Sequence, residues 1–295
     1  MYKWLVFLLL LVSCAKLTEE RRERLGRSYY QDGMTAYARG DFRAASSNML
    51  EALKLIDTLT PEEIKNARFV LADSFYRSRD FVQAVVYSED FLVNYPNSPE
   101  SQRVFANLID SYFRVAPDSH RDQTYTLKAI EKAREFLLKY PGSDQTDRVL
   151  EIVNRAKTKV ARHEYLIARF YEDYGYYYSA SQRYKTLLTE FPEEIQAQEV
   201  LFRYIKSLLL SGEQIKRQKL RLERLIQEAQ NSLKDARAED KEAIQRRIEV
   251  LKSEMKRWEE KEKELRQEGL KQMQNYRETF GENSFYRQLL RYAGR

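Results

Sequence analysis

The chain repeats itself, and that repetition restricts its fold more than any other feature of its 295 residues. Leu71-Ala72-Asp73-Ser74-Phe75-Tyr76-Arg77 returns as Leu108-Ile109-Asp110-Ser111-Tyr112-Phe113-Arg114, with four of seven positions identical and Phe and Tyr exchanged at two more. Aromatic-Pro pairs recur at Tyr95-Pro96, Tyr140-Pro141 and Phe191-Pro192. Each closes a stretch with helical spacing: Ala84 to Asn94, Ala129 to Lys139 and Ala180 to Glu190. Proline stops a helix because it lacks an amide hydrogen and clashes with the turn before it. Glycine and proline are otherwise scarce, at nine and six, which favours helices throughout.

Counted back from the prolines, the period matches the ~34 residues of a tetratricopeptide repeat. Repeat one has Gly33, Gly40, Phe42, Ala45 and Ala52, and repeat two has Ala72, Phe75, Phe81, Ala84, Phe91 and Pro96. Repeat three has Ile109, Tyr112, Ala129, Ala133, Phe136 and Pro141, with extra residues near Pro117 to Thr124. Repeat four has Ala168, Tyr171, Gly175, Tyr177, Ala180, Tyr184 and Pro192. Small residues let paired helices approach, and aromatics fill the space beside them. A single repeat cannot bury its apolar face, so neighbours stack. Asp144 to Tyr174 carries neither Gly nor Pro and keeps helical spacing, so it reads as one long helix or two with a slight bend.

The fifth repeat reads as split. Glu199 to Leu210 is its first helix, Ser211-Gly212 the expected turn, and the second helix resumes near Arg266. In between, over half of the residues are charged, with the signs nearly balanced. Ile244, Ile248, Leu251, Met255, Trp258 and Leu265 sit on alternating four- and three-residue steps, with Glu262 completing the series, as Ile215, Leu222, Leu225 and Ala229 do earlier. That is the pattern of a coiled coil. Two arms of about 35 Å, at 1.5 Å per residue, would turn near Ala236 to Asp240. The alternative is one continuous solvated helix; the hairpin is favoured because repeat five must return to its first helix. The expected fold is thus an all-α tetratricopeptide-repeat superhelix of about five repeats with an inserted antiparallel coiled-coil hairpin in the last. The segments are 1–13 signal peptide, 14–25 lipidated linker, 26–212 repeats one to four and the first helix of repeat five, 213–265 insertion, and 266–295 second helix and C-terminal tail.

The N-terminus has its own chemistry. Lys3 precedes an apolar run from Trp4 to Val12 that is far shorter than the ~20 residues of a membrane-spanning helix. This is a secretory signal peptide, and Leu11-Val12-Ser13-Cys14 at its end looks like a bacterial lipobox. In that chemistry diacylglycerol is attached to the cysteine thiol, the chain is cut before it, and the new amino terminus is acylated. Cys14 is the single cysteine of the chain, so it has no disulfide partner. The alternative is a chance cysteine after an ordinary signal. Ala15 and Lys16 follow it, with no aspartate, which resembles outer-membrane sorting.

Enzyme chemistry has little to work with. His120 and His163 lack metal-ligand partners at helical spacing, and no Gly-x-Ser-x-Gly, phosphate loop, dinucleotide fingerprint or His-Glu-x-x-His occurs. The reading is a non-enzyme with no metal and no cofactor beyond the covalent lipid on Cys14. The net charge of +6 could suit an anionic membrane surface, but nothing marks a nucleic-acid binder.

A lipobox followed by about five tetratricopeptide repeats resembles the BamD/ComL family of outer-membrane assembly lipoproteins. The stretches that carry the resemblance are His120-Arg121-Asp122-Gln123 before Ala129-Ile130 and Lys139-Tyr140-Pro141, and Lys159-Val160-Ala161-Arg162-His163-Glu164 before Ala168-Arg169-Phe170-Tyr171. Gly175 and Ala180-Ser181-Gln182-Arg183-Tyr184 continue the second match. The resemblance covers about residues 20–212. It implies a lipid-anchored scaffold on the periplasmic face of the outer membrane. Its partners would be a BamA-like β-barrel insertase, the other lipoproteins of that machinery and unfolded outer-membrane proteins. Two features depart from the family pattern: Leu59-Thr60-Pro61 in place of an aromatic-Pro turn after repeat one, and the inserted hairpin.

The first-helix positions that line a repeat groove are Tyr30, Met34, Tyr37, Asp73, Tyr76, Arg77, Asp110, Phe113, Arg114, Tyr165 and Arg169. Aromatics offer contact area at low entropy cost, and arginine can hold a carboxylate by two bonds. The bland reading is that half of these only pack the superhelix. The resemblance makes Arg183 the candidate contact with the insertase. An alternative function is another repeat lipoprotein, such as a pilus-assembly pilotin or a cell-division or envelope coordinator.

Overall fold

In the computed structural model, helices end where the sequence places its aromatic-Pro pairs. The backbone is described for residues 2–294 and the side chains for 19–294, so Cys14, the expected lipidation site, lies outside the described side chains. Eleven α-helices and one 3-10 turn make up the described residues, with no strand among them. The fold is all-α and of the tetratricopeptide-repeat kind.

Two compact units divide the chain, 1–157 and 158–295. The first holds α1 (Tyr2–Ala38), α2 (Phe42–Lys54), α3 (Pro61–Arg77), α4 (Phe81–Asn94), α5 (Ser101–Val115), α6 (Thr124–Lys139) and the first half of α7 (Thr146–Asp173). The residues expected at helix crossings are sealed: Ala45, Ala52, Ala84 and Ala133 are each 0% exposed. Around them pack Met49, Val70 and Leu71 near α1–α3, and Phe105, Ile109, Tyr112 and Phe136 near α5–α7. The turns of repeats one and two share one design. A left-handed residue, Gly40 (φ 80°) or Arg79 (φ 64°), is followed by Asp41 or Asp80, whose carboxylate caps the next helix by accepting from Ala44 N or Gln83 N. Arg79 takes this conformation with a side chain, at a cost of about 1–2 kcal/mol.

Leu59-Thr60-Pro61 starts a helix instead of stopping one. Thr60 and Glu63 form a reciprocal capping box, and Pro61 occupies the first helical position, where no amide hydrogen is needed. The extra residues between α5 and α6 are organised by Gln123, which donates to the carbonyls of Asp118 and Arg121 and accepts from Thr126.

The second unit holds the rest of α7, then α8 (Tyr177–Glu190), α9 (Ala197–Asp235), α10 (Ala238–Phe280) and α11 (Ser284–Ala293). Ala161, Ala168, Ala180, Tyr184, Leu208 and Ile215 form one core cluster, and Phe202, Ile205, Tyr276 and Leu289 another. α9 and α10 are joined through Ala236-Arg237 and run antiparallel: Lys219 pairs with Glu262, and Gly269 lies against Leu208 and Leu209.

Two expectations from the sequence are corrected here. Ser211-Gly212 is not a turn, and no second helix begins near Arg266; α9 and α10 pass through both points unbroken. Inside α9 the Ser211 hydroxyl donates to the Leu208 carbonyl, and Gly212 leaves room for Glu262, 3.1 Å from where a Cβ would stand. A glycine in a helix interior costs only about 1 kcal/mol, which the facing helix offsets. The C-terminal tail is also ordered: Asn283 caps α11, which buries Tyr286 and Leu289.

Candidate functional site

The repeated Asp–aromatic–Arg set assembles into a ladder of bonds between first helices of the first unit. Asp73 on α3 is 1% exposed, and its carboxylate accepts from Tyr37 on α1 (2.6 Å), from Arg103 (2.6 Å) and Asn107 (3.1 Å) on α5, and pairs with Arg77 one turn on (2.7 Å). Asp110 on α5 repeats the arrangement. It accepts from Tyr76 on α3 (2.6 Å) and pairs with Arg114 (3.2 Å), while Arg148 on α7 reaches back to the Tyr76 hydroxyl (2.5 Å) and to Asn107 (3.0 Å). Cation–π contacts add a second rail: Arg77 lies over Phe42 at 5.1 Å and Arg114 over Phe81 at 5.8 Å. Burial first, and then the bond to Asp110, push the Tyr76 hydroxyl up to about 12; Tyr37 is raised by burial and by Asp73.

At the next step the chemistry changes. Phe113 stands where Tyr76 stood and has no hydroxyl. Arg155, seven residues after Arg148, lies over its ring at 5.0 Å, as a cation–π pair in place of a hydrogen bond. Tyr30, also a groove candidate, packs half-buried against the α1–α3 core. The structure therefore joins Tyr37, Asp73, Tyr76, Arg77, Asp110 and Arg114, and commits both carboxylates to partners within the chain. The side chains of Arg77, Arg103 and Arg114 stay 44%, 39% and 48% exposed. Sequence reasoning missed Arg103, Asn107 and Arg148. The spacing held a signal: Arg103 precedes Asp110 by seven residues, two turns along the same helix face.

In the second unit a related pair links Tyr165 on α7 to Glu199 on α9 at 2.8 Å. Beside it Glu172, buried, accepts from Tyr184 (2.5 Å) and Lys206 (2.8 Å) and pairs with Arg203 (3.2 Å). Burial alone would push the Glu172 carboxyl up. The bonds from Lys206 and Tyr184 and the charges of Lys206 and Arg203 outweigh it and hold the group below its ordinary range. A cavity of about 400 Å³ opens beside this cluster, lined by Arg162, Tyr165, Leu166, Ile195, Glu199 and Val200. Arg183 on α8 donates to Glu164 at 2.8 Å and keeps 42% of its side chain in solvent.

Among the described residues no three His, Cys, Asp or Glu side chains converge as a metal site requires, and no helix is long and apolar enough to cross a membrane. What the ladder leaves to solvent are part-exposed arginines beside aromatic rings. Comparison with known proteins finds the profile of YfiO, described as an outer membrane lipoprotein, matching residues 23–222. A protein of Aquifex aeolicus (strain VF5) is 47% identical over 288 residues, covering 97% of this chain and 94% of its own length. It carries the name of an outer membrane protein assembly factor, BamD.

Proposed function

The chain belongs to the YfiO family of outer membrane lipoproteins, and on that premise we propose that it is an assembly factor for outer-membrane proteins. The observation that carries this reading is the near-full-length identity to the BamD-named protein of Aquifex aeolicus. In this reading Cys14 bears the lipid and holds the chain at the periplasmic face of the outer membrane. Unfolded β-barrel proteins are recruited along the first unit. The carboxylates there are occupied, so the exposed faces of Arg77, Arg103 and Arg114 and the rings beside them are what a substrate can touch. The second unit docks a BamA-like insertase and other lipoproteins of the machinery, with Arg183 as a contact. Its guanidinium is anchored to Glu164 on one side and faces solvent on the other.

Crosslinked affinity purification from membranes tests the proposal. The wild-type chain should bring down a β-barrel insertase, and Arg183→Glu should reduce that recovery severalfold while circular dichroism shows the helices intact. Absence of any barrel protein from the wild-type eluate would sink the assembly reading. Full recovery with Arg183→Glu would remove Arg183 from the interface and leave the wider reading intact.

A further inference from the structure

The second unit exposes an aromatic shelf that neither the repeat packing nor the ladder uses. At the turn from α7 to α8, Phe170, Tyr174 and Tyr176 are 54%, 66% and 46% exposed. They form one cluster: the Phe170 ring lies 4.6 Å from Tyr174 and 5.9 Å from Tyr171, and Tyr171 lies 6.4 Å from Tyr176. Contiguous exposed apolar surface rimmed by polar residues marks interaction sites. The shelf is tied to α9 by Arg217, which donates to the Gly175 carbonyl and lies over Tyr176 at 5.7 Å.

From Arg217 a basic row continues along α9. Arg221 and Arg224 follow at four and seven residues, so all three share a helix face, with Leu220 between them 48% exposed. That face holds three guanidinium groups and no carboxylate between Arg217 and Arg224; Glu213 and Glu228 stand a turn beyond either end, and Glu223 lies off to one side. Lys219, by contrast, points into the hairpin and is neutralised by Glu259 and Glu262. Asp173, next to the shelf, is paired with Arg169. Neither Arg221 nor Arg224 makes an ion pair among the described residues. The near-balance of charge over the hairpin as a whole therefore hides a local excess at its root.

We infer that this shelf and arginine row form a contact surface for the anionic headgroups of a lipid bilayer. Charge complementarity selects the ligand: guanidinium groups bind phosphate oxygens by paired bonds. Tyrosine side chains settle at the headgroup level, where one end of the ring is apolar and the other wet, and the Phe170 ring would enter the acyl side of that boundary. Leu220 would enter the same layer. A protein of an outer membrane lipoprotein family works beside such a surface. Contact there would orient the second unit independently of the lipid at the N-terminus.

The test uses the full mature chain with Cys14→Ala, so that no acyl chain contributes, and sedimentation with vesicles of phosphatidylglycerol and phosphatidylcholine mixed, or of phosphatidylcholine alone. Binding should require the anionic lipid and weaken with salt. A basic residue near an anionic bilayer contributes about 1 kcal/mol, or about fivefold. Arg221→Glu with Arg224→Glu should therefore reduce binding at least about tenfold, and Phe170→Ser with Tyr174→Ser should reduce it severalfold. Far-ultraviolet circular dichroism should report unchanged helix in both variants. A wild-type chain that does not bind, or binding indifferent to both pairs of substitutions, overturns the inference. So does the result that these variants lose a protein from affinity purification while vesicle binding is absent, which assigns the surface to a protein partner.

Discussion

Asp73 shows what a repeated residue does in this chain. Its recurrence as Asp110 was visible in the sequence, and so were the aromatic and the arginine beside each. What the repetition could not show is where the carboxylate points. It points to Tyr37, Arg103 and Asn107 on neighbouring first helices and is sealed from water. Without that carboxylate the part-exposed Arg77 and Arg103 turn to water, but the Tyr37 hydroxyl and the buried Asn107 amide lose their acceptor, which costs about 1–3 kcal/mol. Asp73→Ala should therefore destabilise the first unit by that amount in urea denaturation. Tyr37→Phe, which removes one bond to a charged acceptor, should cost about 2 kcal/mol. If Asp73 served only to grip a ligand, its alanine variant would unfold at the wild-type urea concentration. Arg155 and Phe113 show the converse limit. Their pairing depends on two helices meeting at one register, and Arg155 stands outside the repeat spacing that sets Arg77 over Phe42 and Arg114 over Phe81.

At the scale of helices, local chemistry was legible. Aromatic-Pro pairs end α4, α6 and α8 at Asn94, Lys139 and Glu190, as the spacing requires. The long helix read between Asp144 and Tyr174 is α7. The sequence signal failed where it leaned on a lone glycine. Gly212 reads as a turn by analogy with earlier repeats, yet a glycine permits a turn without demanding one, and the partner helix α10 decides. Small residues at crossings are a stronger signal, because their size is needed for the helices to touch. Ala180 on α8 is 0% exposed within the core that also holds Ala161, Ala168 and Leu208. Ala180→Leu should overpack that crossing and cost about 1–3 kcal/mol, with the loss in the second unit. Hydrogen exchange would locate it: α8 amides should exchange faster while those of α2 and α3 keep their protection. Unchanged exchange in α8 would mean that the crossing adapts at no cost.

For the molecule as a whole, acid should weaken the second unit through Glu172 and Glu199. Glu172 is held ionised by Lys206, Tyr184 and Arg203 against its own burial, and Glu199 is held low by Arg203. A carboxyl with a depressed folded pKa contributes stability that is complete above its ordinary value of 4.5 and is lost as the pH falls through the folded value. Melting temperature should therefore drop as pH is lowered from 5 toward 3, and the Glu172→Gln variant should show a shallower fall from a lower starting point. An acid profile identical in the variant would show that Glu172 is not the group responsible. The sequence by itself determined the all-α repeat fold, because helix stops and small crossing residues are written in contiguous residues; the lipid-bearing start at Cys14 is its expectation. The tertiary structure alone decided that α9 and α10 continue unbroken, that both repeat aspartates face inward, and that Tyr176 of the aromatic cluster meets Arg217 of α9. Each of these rests on residues 30 or more positions apart meeting in space, where burial and charge pairing are settled by the partner and not by the neighbour in the chain.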